Sequence, residues 1–118
     1  MLTVDKLRAF GADVDDGLKR CMNNEAFYLR LVNMALDDPG VAHLQEAAEA
    51  GDRKAAFEAA HALKGMLANL SLSPLAEPAA ELTELLRAEG EGIPDACADY
   101  VRRIAEAKER LLALRDGE

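Results

Sequence analysis

The sequence predicts an all-α fold, an antiparallel up-down four-helix bundle preceded by one or two short N-terminal helices. Three observations lead there. Val, Ile and Thr, which suit a pleated surface, are scarce, whereas Ala, Leu and other strong helix formers dominate. Apolar residues recur at three- and four-residue intervals along most of the chain. The interruptions are glycines and prolines of the kind that end and restart helices. At 118 residues, 50% of them hydrophobic, the chain suffices for one core, and residues 1–118 read as a single domain. With 4% aromatics and no Trp, that core must be aliphatic.

The first segment opens near Thr3, carries Leu2, Val4, Leu7 and Phe10 on its apolar side, and stops at Gly11. Asp13 caps a second short segment with Val14, Leu18, Cys21 and Met22 on one side and Gly17 as a weak point; Asn23-Asn24 then breaks it and supplies a new N-cap. From Glu25 to Asp37 the helical spacing is kept by Phe27, Leu31, Met34 and Ala35, joined by Tyr28 and Val32. Pro39-Gly40 interrupts, and the period resumes with Val41, Leu44 and Ala48. The stretch is therefore a kinked helix or two stacked helices ending at Gly51. Asp52 caps a long helix through Leu70, which must double back on its predecessor. Ser73 as N-cap and Pro74 at the first helical position start the next, with Leu82, Leu85 and Leu86 as its stripe toward Gly90. Pro78 implies a late start or a bend there. After Pro94 a last helix runs to about Arg115, with Tyr100, Ile104, Ala107, Leu111 and Leu114 as its seam.

Composition also narrows the function. The net charge of −8, from 22 acidic and 14 basic residues without a basic cluster, opposes binding to nucleic acid or to an anionic membrane surface. Cys21 and Cys97 lack metal or redox spacing and are expected as free thiols in the cytoplasm. No apolar run is long enough for a membrane span, and the N-terminal stretch lacks an export signal. Phosphate loops, nucleophile elbows and histidine–carboxylate metal pairs are missing from the sequence, so no metal site and no autonomous enzyme is expected.

The helix containing Phe57-Glu58-Ala59-Ala60-His61-Ala62-Leu63-Lys64-Gly65-Met66 departs from plain amphipathicity. A rotation of about 100° per residue puts Ala56, Ala59, Leu63, Met66, Leu67 and Leu70 on the core face. His61 then faces solvent, flanked by Lys54, Phe57, Glu58, Lys64, Gly65 and Ala68. Gly65 costs about 1 kcal/mol relative to Ala inside a helix, yet lies off the packing stripe, where its missing side chain bares the ring. Lys64, at i+3, favours an anion attached to the imidazole, and a neutral imidazole is a nucleophile. Phe57 and Ala68 make a smooth rim suited to a docking partner. Singly, each has an ordinary explanation: a surface histidine, a solvated lysine, a phenylalanine leaning on a neighbouring helix, a glycine admitting the N-terminal segment. Their coincidence on one face points to chemistry. His43, without a following Lys or Gly, reads as a surface residue.

His61-Ala62-Leu63-Lys64-Gly65, followed by Leu70 and Leu75, resembles the H-x-[LI]-K-G signature of histidine-containing phosphotransfer (HPt) domains of bacterial phosphorelays. The preceding alanines, the Gly51-Asp52 turn and the helix order extend the likeness over nearly the whole chain, and Asp13 to Leu31 is similar to the leader of many such domains. The resemblance implies a four-helix bundle whose exposed His61 accepts a phosphoryl group at Nε2 from a receiver-domain phospho-aspartate and passes it on. Lys64 would stabilise the added charge and Gly65 would give steric access. Two positions depart from the pattern. Ser71 stands where the family has glycine, and Thr83 stands where many members carry a Gln or Glu that bonds the other ring nitrogen. Thr83 is thus the matching ring-nitrogen partner by spacing, although short for the task, with Glu84 or a water as substitutes.

The resemblance further implies a monomeric phosphocarrier with no cofactor of its own, Mg²⁺ belonging to the partner. Its partners would be response-regulator receiver domains or a hybrid histidine kinase. The length leaves no room for a kinase ATP-binding domain or a receiver, so a free-standing carrier is expected. Two alternatives are a docking adaptor that has lost transfer and, third, a metal-dependent bundle enzyme.

Overall fold

A computed structural model describes residues 1–117. Seven helices follow one another: α1 (Val4–Phe10), α2 (Val14–Arg20), α3 (Glu25–Asp37), α4 (Gly40–Glu49), α5 (Arg53–Asn69), α6 (Ser73–Arg87) and α7 (Cys97–Asp116). Among the described residues there is no strand. Helices α4, α5, α6 and α7 close a ring, each packed on the next and α7 back on α4, while α1 lies against α7 and α2.

Four helices begin where a short polar side chain can take over a backbone N–H left without an intrahelical acceptor. Thr3 accepts from the Lys6 N–H at 3.1 Å, Asp13 from Asp16 at 3.2 Å, Asn24 from Phe27 at 3.0 Å and Asp52 from Ala55 at 3.0 Å. Gly11 (φ +109°) ends α1, and Gly51 (φ +71°) ends the turn after α4, in left-handed conformations that suit a residue without Cβ. The break between α3 and α4 yields two separate helices, with the Asp38 carboxylate accepting from the Gly40 N–H at 2.8 Å.

The core is aliphatic. Leu44, Leu63, Leu67, Leu75, Leu82, Ile104 and Leu111 are buried at the centre of the ring, and each fully buried side chain of this size contributes about 1.5–3 kcal/mol. On α5 the buried stripe is Ala56, Ala60, Leu63 and Leu67; Ala60 takes the place expected for Ala59 and Met66, which are only half-buried. Cys21 and Cys97 are buried free thiols.

Several expectations are corrected. Helix α3 buries Tyr28, Val32 and Leu36, so Phe27 and Met34 remain exposed. Packing of Tyr28, Val32 and Leu36 sets the rotation of α3 about its axis, and in that orientation the Tyr28 hydroxyl donates to the Leu70 carbonyl at 2.8 Å. Burial pushes the phenol up to about 12. Met22 is also exposed, because α2 stops at Arg20 and the chain turns through left-handed Met22 and Asn23. Helix α6 starts one residue earlier than expected: Leu72 occupies the N-cap position, without a side-chain bond, and Ser73 and Pro74 lie inside the first turn. Pro78 neither delays nor ends α6. It is buried within the helix, where it removes a single backbone bond, the one that would have reached Pro74.

The turn from α5 to α6 is held by α2. Ser71 has φ +54°, a strained value for a residue with a side chain, and is buried. Its carbonyl accepts from the Asp13 N–H at 2.9 Å, and its hydroxyl donates to the Asp16 carboxylate. That hydroxyl, followed by Arg20, holds the Asp16 carboxyl below the usual carboxylate range.

Two stability predictions follow from these contacts. A Cβ on Gly17 would lie 2.6 Å from the Tyr28 ring, which its bond to Leu70 prevents from swinging away. Gly17→Ala should therefore destabilise the protein by up to about 2 kcal/mol in urea unfolding, because overpacking costs about 1–3 kcal/mol and the helix-propensity gain returns only about 1 kcal/mol; a stabilised variant would refute this packing. Ser71→Ala should lower Tm at neutral pH. Because the folded-state carboxyl of Asp16 is depressed, its contribution is complete above the unfolded value near 4 and lost as pH falls through the lower folded value, so the Tm deficit should persist down to about pH 4 and close below it.

Candidate functional site

Burying Ala56, Ala60, Leu63 and Leu67 forces the opposite side of α5 outward, and His61 stands there exposed, in the middle of a 17-residue helix. Helical side chains lean toward the N-terminus, so His61 lies over the turn that carries Phe57. The two rings are stacked, with centroids 5.7 Å apart and planes 20° from parallel. By the same geometry a side chain at position 65 would lean back over His61. Gly65 provides none, and beyond its chain neighbours and the backbone of its own helix a Cβ built there meets nothing within 4 Å. The N-terminal segment does not fill that space.

Lys64 is half-buried one turn from His61, and among the described residues its ammonium makes no ion pair. It lines, with Ala68, a shallow hollow of about 320 Å³ whose other wall includes Asp13, Asp16, Ser71 and Glu77. Ala68 is exposed and Phe57 half-buried. The arrangement offers an approachable imidazole, a free cation within one turn, and small side chains around both. Among the described residues, no three His, Cys, Asp or Glu side chains are grouped as a metal ion would require, and no helix is long and apolar enough to cross a membrane.

Thr83 is not brought to the imidazole. It is fully buried and its hydroxyl donates to the Ala79 carbonyl at 2.7 Å, one turn back along α6, whereas His61 is on the outer surface. A β-branched hydroxyl side chain satisfies itself on its own helix in this way. The expectation that it orients the ring is therefore corrected. Glu84 is exposed and pairs with Arg87 at 3.3 Å.

Arg87 is the residue the sequence reading missed. Its guanidinium lies 5.2 Å from the Phe57 ring centroid, so a cation from α6 covers the aromatic ring that stacks on His61. No periodicity within α5 could have disclosed this, because the contact crosses between two helices. Ser71 answers the other departure from the resemblance. Its left-handed backbone is the conformation in which glycine is cheapest, and the hydroxyl bond to Asp16 offsets part of the strain of having a side chain there.

No curated protein and no solved structure matches the chain. A family model described as the Hpt domain matches residues 33–117, which takes in α4 to α7, the His61 face and Ser71, and leaves α1, α2 and the first turns of α3, including the Asp13–Leu31 stretch, outside the match. With most of its length matched, the chain belongs to the Hpt domain family.

Proposed function

We propose that this protein is a histidine phosphotransfer module of a two-component phosphorelay, a phosphocarrier rather than an autonomous enzyme. His61 accepts a phosphoryl group from the phospho-aspartate of a response-regulator receiver domain and passes it to another. The observation that carries the reading is the exposed His61 with an open space at Gly65 and, within one turn, Lys64 without an ion pair among the described residues. The ring of α4 to α7 is read as the up-down four-helix bundle that presents it, in a single monomeric cytoplasmic module.

In the transfer, the Nε2 lone pair forms a bond to phosphorus as the phosphorus–oxygen bond to the aspartate breaks, and the carboxylate leaves with that electron pair. The imidazole keeps its original proton on Nδ1 while the phosphoryl group is transferred, and the resulting phosphoimidazolium then releases it to solvent. Lys64 faces the added negative charge. Little else is asked of this chain, because phosphoryl transfer through a loose transition state depends mainly on positioning and on charge, and the receiver supplies the donor and the Mg²⁺. Phe57 and Ala68 form the rim on which the receiver rests.

A second reading, a docking adaptor without transfer, gains support from the inward turn of Thr83, which leaves the ring without that hydrogen-bond partner. Radiolabel transfer separates the two. Incubated with a phosphorylated receiver and Mg²⁺, the wild type should take up label that is lost in acid and kept in base, and His61→Gln should take up none. Label that survives acid, or that persists in His61→Gln, would exclude a phosphohistidine at this site. Gly65→Leu should keep its helicity by circular dichroism yet transfer at least about tenfold more slowly, since a steric obstruction of about 1.4 kcal/mol in the transition state suffices for that factor. Unchanged kinetics would remove the role of Gly65.

A further inference from the structure

The imidazole needs a definite orientation, yet Thr83 points away from it and no hydrogen bond to the ring is formed among the described residues. A histidine on an exposed helix face has two free side-chain torsions, and a productive attack requires the nucleophilic nitrogen to be held near its line of approach. Something else must limit the motion of the ring.

What lies against it is a ladder of three groups from two helices. The His61 imidazole stacks on Phe57 at 5.7 Å and 20°; the Arg87 guanidinium covers Phe57 at 5.2 Å; and Glu84 holds the Arg87 side chain at 3.3 Å. The stack is a local consequence of the i, i+4 spacing on α5, and the guanidinium comes from α6. Phe57 is also partly packed against the hydrophobic core, and it lines with Leu86 and Arg53 a hollow of about 480 Å³. Arg53 is itself fastened there, donating to the carbonyls of Ala88 at 2.7 Å and Gly92 at 3.1 Å.

We propose that Phe57, clamped by Arg87, is the positioning residue for His61: stacking fixes the plane of the imidazole so that its outer nitrogen faces the side left open by Gly65. This role rests on the phosphotransfer reading and deepens it, giving to an aromatic face and a cation the orienting work that Thr83 does not perform. It also divides the surface of Phe57. Part of the ring serves the imidazole, and what remains exposed is left for a partner.

The test uses the intact protein and the variants Phe57→Leu, Phe57→Tyr, Arg87→Met and Arg87→Lys. The first readout is the NMR shift of the His61 ring protons without any partner. Phe57→Leu should move them toward the values of an unstacked histidine, Phe57→Tyr should leave them near wild type, and Arg87→Met should move them part of the way. The second readout is single-turnover label transfer from a receiver charged with acetyl phosphate. Phe57→Leu should lower the rate at saturating receiver about fivefold or more, over and above any rise in the half-saturating concentration from the loss of its docking edge, with Phe57→Tyr and Arg87→Lys restoring most of the rate. The double variant Phe57→Leu/Arg87→Met should be no slower than Phe57→Leu alone, because Arg87 acts through the ring. The third is phosphorylation by phosphoramidate, a donor small enough to meet the imidazole in any orientation, which should stay within twofold of wild type in all variants. Unmoved ring-proton shifts in Phe57→Leu, or a loss confined to the half-saturating concentration, would overturn the positioning role and leave the phosphotransfer reading standing. A wild type labelled by phosphoramidate but by no receiver would overturn the phosphotransfer reading and this role with it.

Discussion

The burial of one side of α5 is the constraint from which the rest of the site follows. Ala56, Ala60, Leu63 and Leu67 must face the ring formed with α4 and α6, and a helix turning by 100° per residue then has no freedom about where His61, Gly65 and Ala68 go. Packing on α4 and α6 sets the rotation of α5 about its axis. The histidine accordingly stands on a surface as rigid as the core beneath it, and its exposure is a product of packing rather than of a mobile loop.

Two small polar arrangements keep that scaffold in register. The Tyr28 hydroxyl on the Leu70 carbonyl ties α3 to the end of α5, and the Ser71 bonds to Asp13 and Asp16 tie the following turn to α2. Both act at the C-terminal end of the helix that bears His61. Residues outside the family match thereby support residues inside it, since Asp13, Asp16 and Tyr28 all precede residue 33. The acid-labile member of the pair is Asp16, whose carboxylate form is favoured by the contact.

Around the imidazole the division of labour is spatial. Toward the C-terminus of α5 the surface is empty at Gly65 and small at Ala68; toward the N-terminus it is filled by Phe57 and covered by Arg87. Side chains on a helix lean toward its N-terminus, so an aromatic four residues earlier supports His61 from below, whereas a residue four later would cover it. The asymmetry suits the proposed phosphotransfer role, in which the ring is held on one side and visited from the other. Lys64, between the two and without an ion pair among the described residues, supplies the positive charge that an attached anion would meet.

The sequence by itself determined what depends on interactions within a turn or two. Thr3, Asp13, Asn24 and Asp52 announce their helices because capping is a bond to the third residue onward, and Gly11 and Gly51 announce stops because only glycine takes the left-handed backbone without cost. The shared face of His61, Gly65 and Ala68 belongs to the same class, since periodicity along one helix suffices for it. Tertiary structure decided the rest. On α3, apolar residues occupy more than one face, and packing against the other helices, with the Tyr28 bond as one part of it, selects Val32 and Leu36 for burial over Phe27 and Met34. On α6, the family resemblance aligns Thr83 with a ring partner, but the packing of that helix turns it inward and brings Arg87 over Phe57 instead. Such choices depend on how two helices are rotated against each other, and the energy that sets a rotation is spread over the whole interface rather than written in either helix alone.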